Sequence, residues 1–204
     1  MSRRYLLPVV VAFLATMSFA DSTVNMKFLY PGNNSSGGYY TYPYYFSVNG
    51  GAPKAMMCDA FMNHISAGES WNAHVTGLLS GKGLFGKDFT DYKAAGLIFI
   101  GITNGTISAT TGNWAVWNLF DKGVTTDASV LALDKAALAA AKYAPAREFK
   151  GLALYTPVGA SPGYGPQEFI GRRAPITTPE PGSLTLLATG LIGIGGMVRR
   201  KLSI

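Results

Sequence analysis

Alternating apolar and polar positions predict β-strands in the first part of the chain. The aromatic and β-branched run 39–48 ends at Asn49-Gly50-Gly51, and Asn-Gly is a strong hairpin signal. Residues 55–59 are therefore predicted to return antiparallel, with Cys58 on the returning strand. The other alternating segments are 24–30 and 70–78, with the turn-rich loop 31–38 between strands.

A helical period replaces the alternation in the middle of the chain. Tyr92, Ala95, Ile98 and Phe99 share one helical face, and a second apolar segment covers about 112–120. A third helix is capped by Asp127 or Ser129 and stops at Pro145. Strand patterns return at 151–156 and 168–170, so the sequence predicts an α+β fold: an antiparallel β-sheet domain with about three helices inserted mid-chain.

The N-terminal pattern is typical of a secretory signal peptide. Ser2-Arg3-Arg4 precedes a short apolar core, and small residues stand at Ser18 and Ala20. We expect cleavage between Ala20 and Asp21, because a retained anchor helix would need a longer apolar run.

A second apolar run covers 182–198 and carries no charge. At about 1.5 Å per residue it is roughly 26 Å long, enough to cross the hydrocarbon core as a C-terminal transmembrane helix. Arg199, Arg200 and Lys201 follow and predict a cytoplasmic end, which places Pro179-Glu180-Pro181 on the outer side. The predicted organisation is therefore a signal peptide (1–20), one extracytoplasmic domain (21–173), a linker (174–181), and a membrane helix with a basic tail (182–204).

Charge and cysteine content exclude several classes of function. The net charge of the whole chain is +6, but residues 21–173 hold 12 Lys and Arg against 10 Asp and Glu, a net charge of +2, so nucleic-acid binding is not expected. Cys58 is the single cysteine, which rules out an intramolecular disulfide. His64 and His74 have no third ligand at metal spacing. Neither a metal, a cofactor nor an enzymatic motif is predicted.

Several side chains have both a structural and a chemical interpretation. Cys58 is either a small buried hydrophobe or a reactive thiol. The tyrosines of 39–45 either build a sheet or offer faces for stacking on sugars. Trp114 and Trp117 are expected to pack in the core. Asp59 and Asp121 are expected to hold loop or helix ends through backbone hydrogen bonds.

The last part of the chain, TPEPGSLTLLATGLIGIGGMVRRK, resembles the PEP-CTERM sorting signal, here 178–202. The resemblance implies processing by signal peptidase and then by an exosortase that acts at Pro179-Glu180-Pro181. It implies transient anchoring in the inner membrane and delivery to the cell surface, extracellular matrix or biofilm of a Gram-negative bacterium.

The central segments MMCDAF (56–61) and NWAVWNLFD (113–121), with YTPVG and GPQEF, look like exported PEP-CTERM proteins. These are similar in turn to thioester domains of bacterial adhesins, in which a cysteine and a glutamine of a Gln-x-Ala-Ile-Trp helix join covalently. Cys58 matches the cysteine, whereas Asn113 stands where the glutamine is expected. Gln167 is interpreted as part of the edge of the core.

Two hypotheses about function follow from these patterns. The first is a noncatalytic exported surface or matrix protein, whose partner is a polysaccharide or another surface protein. The second is a thioester-type covalent adhesin domain that uses Cys58. A hydrolase is a third and weaker interpretation, since no nucleophile and base pair is visible.

Overall fold

A closed barrel of six antiparallel strands organises the domain. The computed structural model describes residues 22–173, and in this range the barrel order is β1-β4-β5-β8-β7-β6, closed by pairing of β6 with β1. The barrel strands are β1 (Ser22–Pro31), β4 (Tyr44–Val48), β5 (Lys54–Cys58), β6 (Ser70–Gly77), β7 (Leu152–Pro157) and β8 (Phe169–Arg172). Two short strands, β2 (Ser35–Ser36) and β3 (Tyr39–Tyr40), pair outside the barrel. The predicted antiparallel sheet is confirmed.

The predicted hairpin joins β4 to β5. Asn49 and Gly50 both have positive φ, 52° and 73°, which is what a two-residue hairpin turn that follows strand twist requires. The register pairs Tyr44 with Met56, so β5 returns as predicted and ends at Cys58.

Three helices lie between β6 and β7, as the periodicity predicts: α1 (Phe89–Thr103), α2 (Ala109–Phe120) and α3 (Ala128–Ala141). Their first turns are capped by Asp88, Ser108 and Asp127. Asp127 accepts hydrogen bonds from the backbone N–H groups of Ser129 and Val130, which decides between the two predicted caps.

The strand β5 separates two apolar cores. Met56 and Cys58 face the barrel interior with Met26, Phe46 and Phe169. Met57 faces the opposite way, toward the helices, as alternation along a strand requires. Residues after Cys58 that keep this alternation are therefore directed alternately to the helices and to the barrel interior.

The tyrosine-rich run 39–48 does not form the single strand that the pattern predicts. It divides into β3 and β4, with a cis peptide bond between Tyr42 and Pro43. Tyr44 is buried in the barrel, whereas Tyr39 and Tyr40 stand outside it and are about half exposed. The cluster thus includes both core residues and surface residues.

The predicted signal peptide and C-terminal transmembrane helix lie outside the described residues. Within 22–173, none of the helices is long and apolar enough to cross a membrane.

Candidate functional site

Cys58 ends β5 and its side chain is completely buried. Its Sγ donates a hydrogen bond to the carbonyl oxygen of Ala60 at 3.5 Å. Burial raises the pKa of the thiol well above its usual range, and the neighbouring Asp59 raises it further. The thiol is therefore neutral at pH 7, which agrees with the interpretation of Cys58 as a buried residue.

Asn113, the residue at the position expected for a thioester glutamine, has a structural role. It lies fully buried on α2. Its Nδ2 donates to the carbonyl oxygen of Cys58 at 2.9 Å, and its Oδ1 accepts from the backbone N–H of Tyr42 at 2.8 Å. The oxygen and the nitrogen of the carboxamide thus both bind backbone groups. Asn113 ties α2 to the segment before β4 and to the end of β5.

Gln167 is the glutamine that lies close to the thiol. It stands just before β8, and its Nε2 donates to the carbonyl oxygen of Ala60 at 3.3 Å, the same oxygen that the Cys58 thiol contacts. Cys58 pairs with Phe169, and the backbone N–H of Asp59 donates to the carbonyl of Glu168. Continuing this register sets Gln167 opposite Ala60, so Cys58 and Gln167 are diagonal neighbours on the same face of the two strands.

The sequence interpretation of Gln167 missed this contact. Its side chain is only 8% exposed and is near the one thiol of the protein. The signal that would reveal it is the pairing of 58–60 with 167–169, which no local pattern encodes because 109 positions separate Cys58 from Gln167.

A pair of buried carboxyl groups lies on the other face of these strands. Glu168 accepts from the hydroxyl of Tyr92 at 2.7 Å, from the backbone N–H of Leu84 at 2.8 Å, and from the hydroxyl of Thr156. Asp59 lies beside Glu168, and neither of its carboxyl oxygens accepts a hydrogen bond from the backbone N–H of another loop or of a helix end. The prediction that Asp59 holds a loop or helix end is therefore wrong.

Burial raises the pKa values of both carboxyl groups. For Asp59, the adjacent Glu168 adds to the effect of burial. For Glu168, burial also dominates, and the hydroxyls of Thr156 and Tyr92 partly oppose it. A proton shared by the pair avoids two adjacent buried negative charges.

Asp121 fulfils its predicted role. It follows α2, and its Oδ2 accepts the backbone N–H of Phe61 at 3.0 Å, which fixes the loop after β5 against the end of the helix. The aromatic ring of Phe61 then lies 5.2 Å from that of Trp117 and 5.0 Å from that of Tyr39.

These rings border a cavity of about 320 Å³ that Gln167 also lines. Trp117 is buried as predicted, while Trp114 is partly exposed and packs at 5.1 Å from it. The cavity lies between the β2–β3 hairpin, the loop after β5 and helix α2, at the same end of the barrel as Gln167.

The histidines lie at exposed positions, and His74 is 3.3 Å from the hydroxyl of Thr23. Within the described part of the chain, residues that could ligate a metal do not form a group of three or more.

In a comparison with protein families, residues 177–201 match the PEP-CTERM protein-sorting motif. The chain carries a PEP-CTERM motif. This confirms the resemblance of the C-terminal pattern, whose predicted limits were 178–202. The motif indicates export toward the cell envelope or surface and processing by an exosortase.

The residues of the PEP-CTERM tail lie beyond the described residues. These are Pro179, Glu180 and Pro181 of the predicted sorting site, and Arg199, Arg200 and Lys201 of the predicted membrane stop. The predicted cleavage site at Ala20 and Asp21 also lies outside the described range, so all of these assignments stay predictions.

Among solved structures, the domain ahead of the PEP-CTERM tail is similar to the N-terminal thioester domain of a surface protein from Clostridium perfringens. The two share 14% sequence identity with a TM-score of 0.45, over 74% of this chain and 99% of the other. No curated protein matches the chain.

Proposed function

We propose that this protein is a noncatalytic surface or extracellular-matrix protein, brought to its location by export and exosortase sorting. The observation that carries the proposal is the PEP-CTERM motif at 177–201, which follows a single folded barrel-and-helix domain. In this account the tail determines where the domain is delivered, and the domain acts there by binding a polysaccharide or another surface protein.

The chemistry of the domain favours binding over catalysis. The Cys58 thiol is neutral and contacts a backbone carbonyl instead of a base. Asp59 and Glu168 are fully buried, so a dissolved substrate has no path to their carboxyl groups. A general base must lie within hydrogen-bond reach of the group it deprotonates, and these side chains do not meet that condition for a substrate.

The location is tested in cells that differ only in the exosortase. The chain is expressed in a host with its exosortase and in the same host lacking that enzyme, and protease is added to intact cells and spheroplasts. We expect the domain to be surface-accessible or released in the first host and retained in the inner membrane in the second. Equal release from both hosts would contradict sorting by the exosortase.

A second function is favoured by the contact of Cys58 and Gln167 with the same carbonyl oxygen. If Sγ of Cys58 attacks Cδ of Gln167, a thioester forms, and the thiol proton leaves with the amide nitrogen as ammonia. A thioester is an electrophile. A protein that displays it outside the cell would therefore act as a covalent adhesin. In this function Gln167 is the thioester glutamine, which the sequence resemblance expects at the position of Asn113.

Intact mass distinguishes the covalent function from the noncovalent one. A thioester lowers the mass of the purified chain by one ammonia, and methylamine then adds its own mass to the product. The variants Cys58→Ala and Gln167→Leu serve as controls that cannot form the bond. A native chain with its full calculated mass, unchanged by methylamine, removes the covalent function and leaves noncovalent binding.

A further inference from the structure

The cavity that Gln167 lines is rich in aromatic rings. Half of the twelve residues that line it are Phe, Tyr or Trp: Phe28, Tyr39, Tyr40, Tyr44, Phe61 and Trp117. Ring faces pack well against the apolar C–H faces of a bound molecule. The volume of about 320 Å³ is at the small end of the range for ligand sites and suits one six-membered ring better than an extended chain.

The polar groups of the cavity are uncharged side chains together with one histidine. They are the carboxamide of Gln167, the ring of His64 and the tyrosine hydroxyls, and the lining includes no Asp, Glu, Lys or Arg. A charged ligand would lose water there without gaining an opposite charge, which is costly. A purely apolar ligand would offer these polar groups no hydrogen bond in place of the water that it displaces.

The backbone that carries Tyr39 and Tyr40 is held in place before any ligand binds. The hairpin that carries them is fixed by a hydrogen bond from the backbone N–H of Thr41 to Asn34, and the side chain of Asn34 donates to the carbonyl of Tyr42. The two rings are nevertheless 44% and 56% exposed. Rigid, half-exposed aromatic side chains bind at a low cost in conformational entropy.

From these features we propose that the cavity is a binding site for one neutral sugar ring of a glycan, with the ring faces of Tyr39 and Phe61 against its C–H face and Gln167 and His64 toward its hydroxyl groups. This rests on the proposed function, because it names the partner of the displayed domain. Trp117 lines the same cavity, so its fluorescence reports occupancy.

The test is a fluorescence titration of the purified full-length chain, kept in a detergent whose head group is not a sugar. The probes are the methyl glycosides of glucose, galactose and N-acetylglucosamine, with glucuronate as a charged ring and cyclohexanol as an apolar ring. We expect a saturable change with at least one neutral glycoside and weaker binding of both comparison rings.

Substitutions locate the site. Tyr39→Leu removes a ring face and should weaken the affinity about tenfold, which corresponds to about 1.4 kcal/mol. Tyr39→Phe keeps the ring and should bind within about threefold of the native chain. Tyr143→Leu is the matched control, because Tyr143 is 87% exposed after α3 and does not line the cavity. If Tyr39→Leu does not fold, Tyr40→Leu replaces it.

Three outcomes would overturn the proposal. They are the absence of saturable binding by every neutral glycoside, unchanged affinity after loss of the tyrosine ring, and tighter binding of cyclohexanol or glucuronate than of the sugars. None of them bears on delivery, since release from cells with and without the exosortase is measured separately. The failure of the sugar site and the failure of the sorting account are thus distinguishable.

Discussion

Cys58 and Gln167 meet at the carbonyl oxygen of Ala60, which lies 3.5 Å from the Sγ of the first and 3.3 Å from the Nε2 of the second. Antiparallel pairing of β5 with β8 brings them together although 109 positions separate them in the sequence. The thiol is buried and neutral, and the carboxamide lies beneath an aromatic cavity. Through the Ala60 carbonyl, the interior of the barrel is therefore connected to the cavity that we propose binds a ligand.

Replacing Cys58 by serine should destabilise the domain. The smaller, more polar hydroxyl would be placed in a fully buried apolar site, and we expect the free energy of unfolding to fall by about 1–3 kcal/mol. Urea denaturation measures the change. Cys58→Ala is the matched control for lost volume without a hydroxyl, and a serine variant as stable as the native chain would show that the site is not apolar.

The two hydrogen bonds by which Asn113 ties α2 to the barrel are tested by Asn113→Asp. A carboxylate keeps an acceptor for the N–H of Tyr42 but places an oxygen against the carbonyl of Cys58, where Nδ2 now donates. The lost bond and the buried charge should destabilise the domain by about 3 kcal/mol or more. Asn72→Asp, at an exposed position of β6, is the control and should change stability by less than about 0.5 kcal/mol. Equal effects of the two substitutions on stability would contradict this structural role of Asn113.

Because of the buried carboxyl pair, we expect a contribution to the free energy of unfolding that falls as the pH rises. Asp and Glu titrate near pH 4 in an unfolded chain, and the folded-state pKa values of Asp59 and Glu168 are raised. The folded state therefore binds protons more tightly, so the stabilisation is complete below about pH 4 and is lost as pH rises through the folded pKa values.

Asp59→Asn isolates this effect, because other titrating groups are common to both chains and cancel in the difference. We expect the variant to lose part of the decline in unfolding free energy between pH 4 and pH 8, and to be more stable than the native chain at neutral pH. Parallel pH profiles of the two chains, measured by urea denaturation, would show that the pair does not share a proton.

Gly83 allows the Tyr92 hydroxyl to reach Glu168. A Cβ at position 83 would lie 2.1 Å from that hydroxyl and 2.7 Å from a methyl carbon of Leu154. Gly83→Ala should therefore displace Tyr92 and lower the unfolding free energy by about 1–3 kcal/mol. Gly105→Ala tests a glycine with φ of 76° but with no atom near its missing Cβ. A smaller effect at Gly83 than at Gly105 would mean that the close approach matters less than backbone conformation.

Much of the fold follows from local patterns, whereas the site does not. The Asn49-Gly50 turn, the cap at Asp127 and the face shared by Tyr92 and Phe99 each encode their own element, and these predictions are confirmed. The barrel closes through pairs distant in sequence, such as β5 with β8, and side-chain alternation does not specify which strands will pair. The neighbourhood of Gln167 depends on that pairing.

The tyrosine-rich run shows a second limit. Val48 and Tyr44 fit a strand pattern that extends back to Tyr39, but Pro43 has no backbone N–H to continue a sheet ladder, and the strand begins after it. The exposed Tyr39 and the buried Tyr44 have the same residue type and similar neighbours in sequence, so composition alone did not separate them.

The measurement that tests the central account most directly is the fate of a chain in which Pro179-Glu180-Pro181 is replaced by three alanines. The two prolines are expected to keep this segment extended next to the predicted apolar run, in the conformation that proteases bind. In a host that contains the exosortase, we predict that the native chain is processed and leaves the inner membrane, while the alanine variant stays in the membrane fraction at its precursor length. Release of the alanine variant at the native rate would contradict sorting through the PEP-CTERM motif.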